Sequence, residues 1–131
     1  MSARKNYTYW LGLALSALVI AALLADAAVQ FFSPGTMRAE MEATGFSASS
    51  SPILAAIMLL CAILYALPQT AMLGAILTTG FLGGAICTHF RLGELGSPPQ
   101  LICLALGLMC WGGLYLREAR LRALLPLTAS Q

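Results

Sequence analysis

The stretch LPQTAMLGAILTTGFLGGAICTHFRLG, Leu67 to Gly93, decides the fold. It opens on the uncharged turn Pro68-Gln69. From Thr70 to about Phe90 it carries no Asp, Glu, Lys or Arg. A bilayer core about 30 Å thick takes roughly 20 residues of helix, and this run is long enough. Inside lipid a backbone must satisfy its own hydrogen bonds, so the run is expected to be a helix. Proline pre-sets the turn, and Thr70 is placed to cap the helix that follows. The run ends on His89 and Arg91, polar groups suited to a membrane boundary.

Three further apolar runs surround it: Trp10 to Phe32, Ile53 to Leu67, and about Pro99 to Leu116. The second is short. It needs Pro52 and the small residues Ser47 to Ser51, or a thinner bilayer. The chain of 131 residues is 60% hydrophobic and only 9% charged, with a mean hydropathy of +0.84. A soluble domain carries about 25% charged residues. The expected architecture is therefore all-α: one integral membrane four-helix bundle over residues 1–131. Its helices are expected at about 9–32, 52–67, 70–90 and 99–117. The longest connection, 33–51, is expected to carry a short surface helix near 37–43.

Charge and cysteine placement narrow the class further. The net charge of +2 is small and spread over both termini, so nucleic acid is not an expected partner. None of the four cysteines forms a C-x-x-C pair, which argues against a zinc ribbon or thioredoxin-type centre. Free buried thiols are expected, although the similar depth of Cys87 and Cys103 leaves a disulfide open. Arg4 and Lys5 with Leu11–Leu24 and Ala25-Asp26-Ala27 resemble a secretory leader. The apolar run continues past that point through Val29, Phe31 and Phe32, which favours a retained helix. Arg4, Lys5, Arg117, Arg120 and Arg122 flank one side of the membrane, and Arg38 and Arg91 the other. That asymmetry predicts both termini on the cytoplasmic side.

Two ionisable residues stand out as a candidate catalytic pair. Asp26 lies six residues before Phe32, inside the first run. A carboxylate there is costly and usually faces a bundle interior or a watery cavity. Gln30, four residues on, shares its face. His89, the sole histidine, ends the third run in the same half of the membrane. A carboxylate beside an imidazole can act as acid and base. Thr78, Ala85 and His89 share a helical face, so Thr78 would line a pocket that Arg91 closes. Tyr65 and Trp111 are deep enough to touch a ligand there. No metal site is expected, since one His and one Asp fall short of the usual ligand set. Gly80 and Gly84, with Cys87 and Arg91 continuing the stripe, are expected to pack on a neighbouring helix of the chain or of a homodimer.

The segment from Leu67 to Gly93, CWGGLYLREARLRALLP from Cys110 to Pro126, and Asp26 in LLADAAVQFFSP together resemble the DoxX-like family of small four-helix bacterial membrane proteins. The resemblance runs over nearly the whole chain. It departs where Ala27 and Gln30 replace the glycine and lysine of the usual Asp-Gly-x-x-Lys stretch, leaving Asp26 without a local cation. Related DoxX and DoxD proteins are associated with thiosulfate:quinone oxidoreduction and membrane redox assemblies. The resemblance therefore implies a multi-pass protein of the bacterial cytoplasmic membrane, with a quinone as possible ligand and a redox protein as partner. No cofactor motif is visible in the sequence itself.

Three functions follow as expectations. The first is binding of a small lipophilic, quinone-like molecule in a pocket in the outer half, between the first and third spans. The second is a cofactor-independent membrane enzyme, isomerising or ring-opening a lipophilic substrate with Asp26 and His89. The third is an assembly subunit without a site.

Overall fold

The computed structural model describes residues 2–125, with side chains from residue 6 onward except that of Pro34. Pro126, the end of the second family-like segment, lies outside them. The described residues form helices joined by short turns: α1 (Ser2–Phe32), α2 (Pro34–Thr44), a 3₁₀ turn (Ala48–Ser50), α3 (Ser51–Ala66), α4 (Ala71–Arg91), α5 (Pro98–Arg117) and α6 (Ala119–Leu124). There is no strand among the described residues. Four helices are long and apolar enough to cross a membrane: Asn6–Phe32, Ala48–Ala66, Ala71–Arg91 and Pro98–Arg117. The short second run reaches its length by running straight on from the 3₁₀ turn, where Ser47 accepts from the Ser49 amide.

The connections differ from simple loops. Residues 33–51 are mostly helical, because Pro34 at the start of α2 has a φ already suited to a helix. Gly45, at φ +79°, ends α2: its amide bonds Glu42 O, and the Phe46 amide bonds Met41 O. That paired closure needs a left-handed residue, which glycine supplies without strain. Thr70 does not cap α4 with its side chain. Its hydroxyl turns back and donates to Leu64 O at 2.8 Å, closing the end of α3 instead.

Around the bundle the order is α1, α3, α4, α5, so α1 and α4 lie across a diagonal, as do α3 and α5. The buried stripe of α1 is Ser16, Val19, Leu23, Ala27 and Gln30, spaced by threes and fours. Two seams are closed by backbone contact. A methyl on Gly74 would stand 2.3 Å from Tyr65 N, so α4 rests directly on α3. Methyls on Gly12 and Gly113 would each come within 2.8 Å of the facing helix. By contrast, methyls on Gly80, Gly83 and Gly84 would meet nothing within 4 Å. The Gly80–Gly84 stripe therefore does not make the intrachain packing expected of it. All four cysteines are free thiols, with Cys87 exposed, Cys103 half-buried and Cys61 and Cys110 buried.

Candidate functional site

The site is best built from the middle of the bundle outward. Tyr65 is completely buried. Its hydroxyl donates to Cys110 O at 2.7 Å and pairs with Ser16 Oγ at 3.0 Å. The Arg117 guanidinium lies 5.3 Å from the ring centroid and donates to Tyr65 O. Tyr65 thus ties α3 to α1 and α5, with no surface left for a ligand. Thr78 is equally buried; its hydroxyl lies beside the Cys61 thiol and has no oxygen or nitrogen partner. Both residues belong to the frame, and neither lines the two cavities described below.

Asp26 and His89 are at similar depth but are not partners. Asp26 is exposed on α1, and its Oδ2 accepts from Gln30 Nε2 at 3.2 Å. Gln30 is buried and also donates to Met58 Sδ, while its Oε1 has no partner. Ser51 Oγ donates to Gln30 O, pinning α1 to α3. His89 sits across the diagonal on α4, and its Nδ1 is 2.6 Å from Glu94 Oε2. The expected acid–base pair is therefore split into two separate pairs, Asp26–Gln30 and His89–Glu94.

Two cavities lie along α4 and α5. The first is a vestibule of about 480 Å³, with mixed polar and apolar walls, at the end of the bundle that carries α2. His89, Glu94 and Ser97 line it from the α4–α5 side and Glu40 and Thr44 from α2. The carboxylate accepts, so His89 Nδ1 carries the hydrogen of this bond and Nε2 is left for another partner. The His89 side chain is 15% exposed, and Nε2 has no partner among the described residues. Ser97 Oγ is buried without a partner. Arg91 does not close the cavity with its charge; its Nη2 donates to Thr44 O at 2.8 Å and holds the end of α2 in place.

The second cavity is an apolar groove of about 550 Å³. Its floor is small, with Gly83 on α4 and Gly107 and Gly112 on α5, and it runs from Ile86 and Cys103 down to Leu121 on α6. Trp111 lines it, and its indole N–H donates to Thr79 Oγ1 at 2.7 Å. Thr79 passes its own hydrogen to Ala75 O. The polar atoms at mid-groove are thus satisfied by each other, leaving carbon facing the space. Of the expected ligand residues, Trp111 alone lines this groove. Among the described residues no group of three His, Cys, Asp or Glu could hold a metal ion.

Comparison with known families now has a geometry to attach to. The model of the DoxX-like family matches residues 14–113, from within the first span to four residues before the end of α5. The chain belongs to the DoxX-like family. No curated protein and no solved structure matches it. The DoxX-like match covers both cavities except Tyr115, Leu121 and Leu125 at one end of the groove.

Sequence reasoning passed over Ser97, Gln100, Thr79 and Ser16 and did not pair His89 with Glu94. A signal existed for most of them. Ser16 and Gln100 are polar residues within apolar runs, and both are buried. Glu94 follows His89 across Gly93, whose φ of +78° turns the chain back on itself.

Proposed function

We propose that this DoxX-like membrane protein holds a small lipophilic, quinone-like molecule in the groove between α4 and α5. The observation that carries the reading is the groove itself, about 550 Å³ of space walled by carbon and floored by glycines. An apolar cavity with few polar groups suits such a ligand. The family resemblance supports the quinone class and a place beside a redox partner. The excess of basic residues around both termini supports a cytoplasmic position for them, in a bacterial cytoplasmic membrane. Binding is favoured over an acid–base enzyme because Asp26 and His89 engage different partners on diagonal helices.

The test is direct. The protein is purified in mild detergent, extracted with organic solvent, and the extract analysed by mass spectrometry. Gly83→Leu and Gly107→Leu place side chains into the groove. Each should reduce co-purified quinone about tenfold or more while leaving the helical content unchanged. Equal quinone in wild type and both variants would remove the groove as the site.

A further inference from the structure

The vestibule and the groove lie on one seam, one helical turn apart. His89 and Pro99 line the first, and Ile86 and Cys103 the second. Gln100 crosses the seam between them. Its Nε2 donates to Ile86 O at 3.1 Å, and its Oε1 accepts from the Gly96 amide at 2.8 Å. Resting on the binding function just proposed, we infer that the two cavities form one site for a neutral amphiphile bearing a hydroxyl. Its headgroup stands in the vestibule and its tail lies in the groove.

The polar atoms of the vestibule specify the headgroup. Glu94 accepts at His89 Nδ1, which leaves Nε2 to bond a hydroxyl, accepting from it as a neutral imidazole or donating to it as a charged one. The carboxylates of Glu40 and Glu94 disfavour an anion such as a fatty acid or a phosphate. The nearby cation, Arg91, is tied to Thr44 O. An alcohol, phenol or hydroquinone meets these conditions. The tail has room as well: Pro99 to Tyr115 is a helical rise of about 24 Å, enough for ten or more carbons.

Native mass spectrometry of the detergent-solubilised protein, titrated with 4-decylphenol or decylbenzene, tests the inference. The two probes share a tail and differ by one hydroxyl. Decylphenol should bind about five- to tenfold more tightly, the worth of one hydrogen bond in a desolvated site. His89→Phe should bring decylphenol down to the level of decylbenzene and leave decylbenzene unchanged. Glu94→Gln, which keeps the shape but no longer fixes the imidazole, should erase part of the advantage. Gly107→Leu should weaken both probes alike. Equal affinity of the two probes for the wild type would overturn the inference while leaving the groove intact, as would a phenol advantage that survives His89→Phe. Failure of both probes to bind, or indifference of both to Gly107→Leu, would remove the groove reading and the inference with it. Retained decylbenzene binding shows that a variant has kept its fold.

Discussion

The two seams of α5 use glycine in opposite ways. Against α1, Gly113 faces Ser16 and Gly12 with no room for even one methyl group. Against α4, a methyl on Gly107 would meet one flexible leucine carbon at 4.0 Å, and one on Gly112 would meet nothing. The first seam gains van der Waals contact, the main source of helix association where lipid is as apolar as the side chains. The second forgoes that contact and leaves a groove. Glycine in a membrane helix thus marks either closure or space, and its neighbours across the seam decide which.

The closed seams should be the least tolerant. Gly74→Ala should have the largest effect, because its new carbon would fall 2.3 Å from Tyr65 N and 2.5 Å from Tyr65 Cα. Backbone cannot turn aside, so α3 and α4 must separate. A loss of about 3 kcal/mol is expected, read as a lower thermal midpoint in detergent. Gly113→Ala should cost about 2 kcal/mol, since one of its close contacts, Ser16 Oγ at 2.8 Å, belongs to a side chain that can rotate. A midpoint for Gly113→Ala equal to that of the wild type would show that the α1–α5 seam is not closed. Tyr65→Phe comes next. It removes the bonds to Cys110 O and Ser16 Oγ and strands a buried hydroxyl, for about 1–2 kcal/mol. The double change with Ser16→Ala should recover part of that loss.

The spans were legible because a bilayer imposes a length, and length can be counted in sequence. The lateral order of the helices was not. Only 22% to 33% of each spanning window is buried inside the bundle, and the rest meets a solvent as apolar as the core. Hydrophobic periodicity therefore says little about which face of a membrane helix points inward. Polar residues were the better guide: Ser16, Gln30, Thr78 and Gln100 are all buried. Depth was also readable, which is why Asp26 and His89 fell in the same half of the bundle. Their partners were not, because α1 and α4 share a direction without sharing a seam. Trp111 was singled out by its depth alone, and the groove it lines was missed because glycines contribute to its lining.

The smallest expected effect gives the cleanest check on the comparison. Gly80 and Gly84 form a G-x-x-x-G pair, which by pattern alone belongs with the closed seams. By geometry they belong with the open surface, since an added methyl meets nothing within 4 Å at either position. Alanine is the better helix former by about 0.5–1 kcal/mol. Gly80→Ala should thus leave the thermal midpoint unchanged or raise it by a degree or two, in detergent dilute enough to keep the protein monomeric. Lipophile binding should not change, because Gly80 does not line the groove. A marked drop in the midpoint would mean that this face of α4 is covered after all. A second copy would be the candidate cover, because no helix among the described residues reaches it. A drop that appears only at high protein concentration would place that contact between two copies and return the stripe to the closed class.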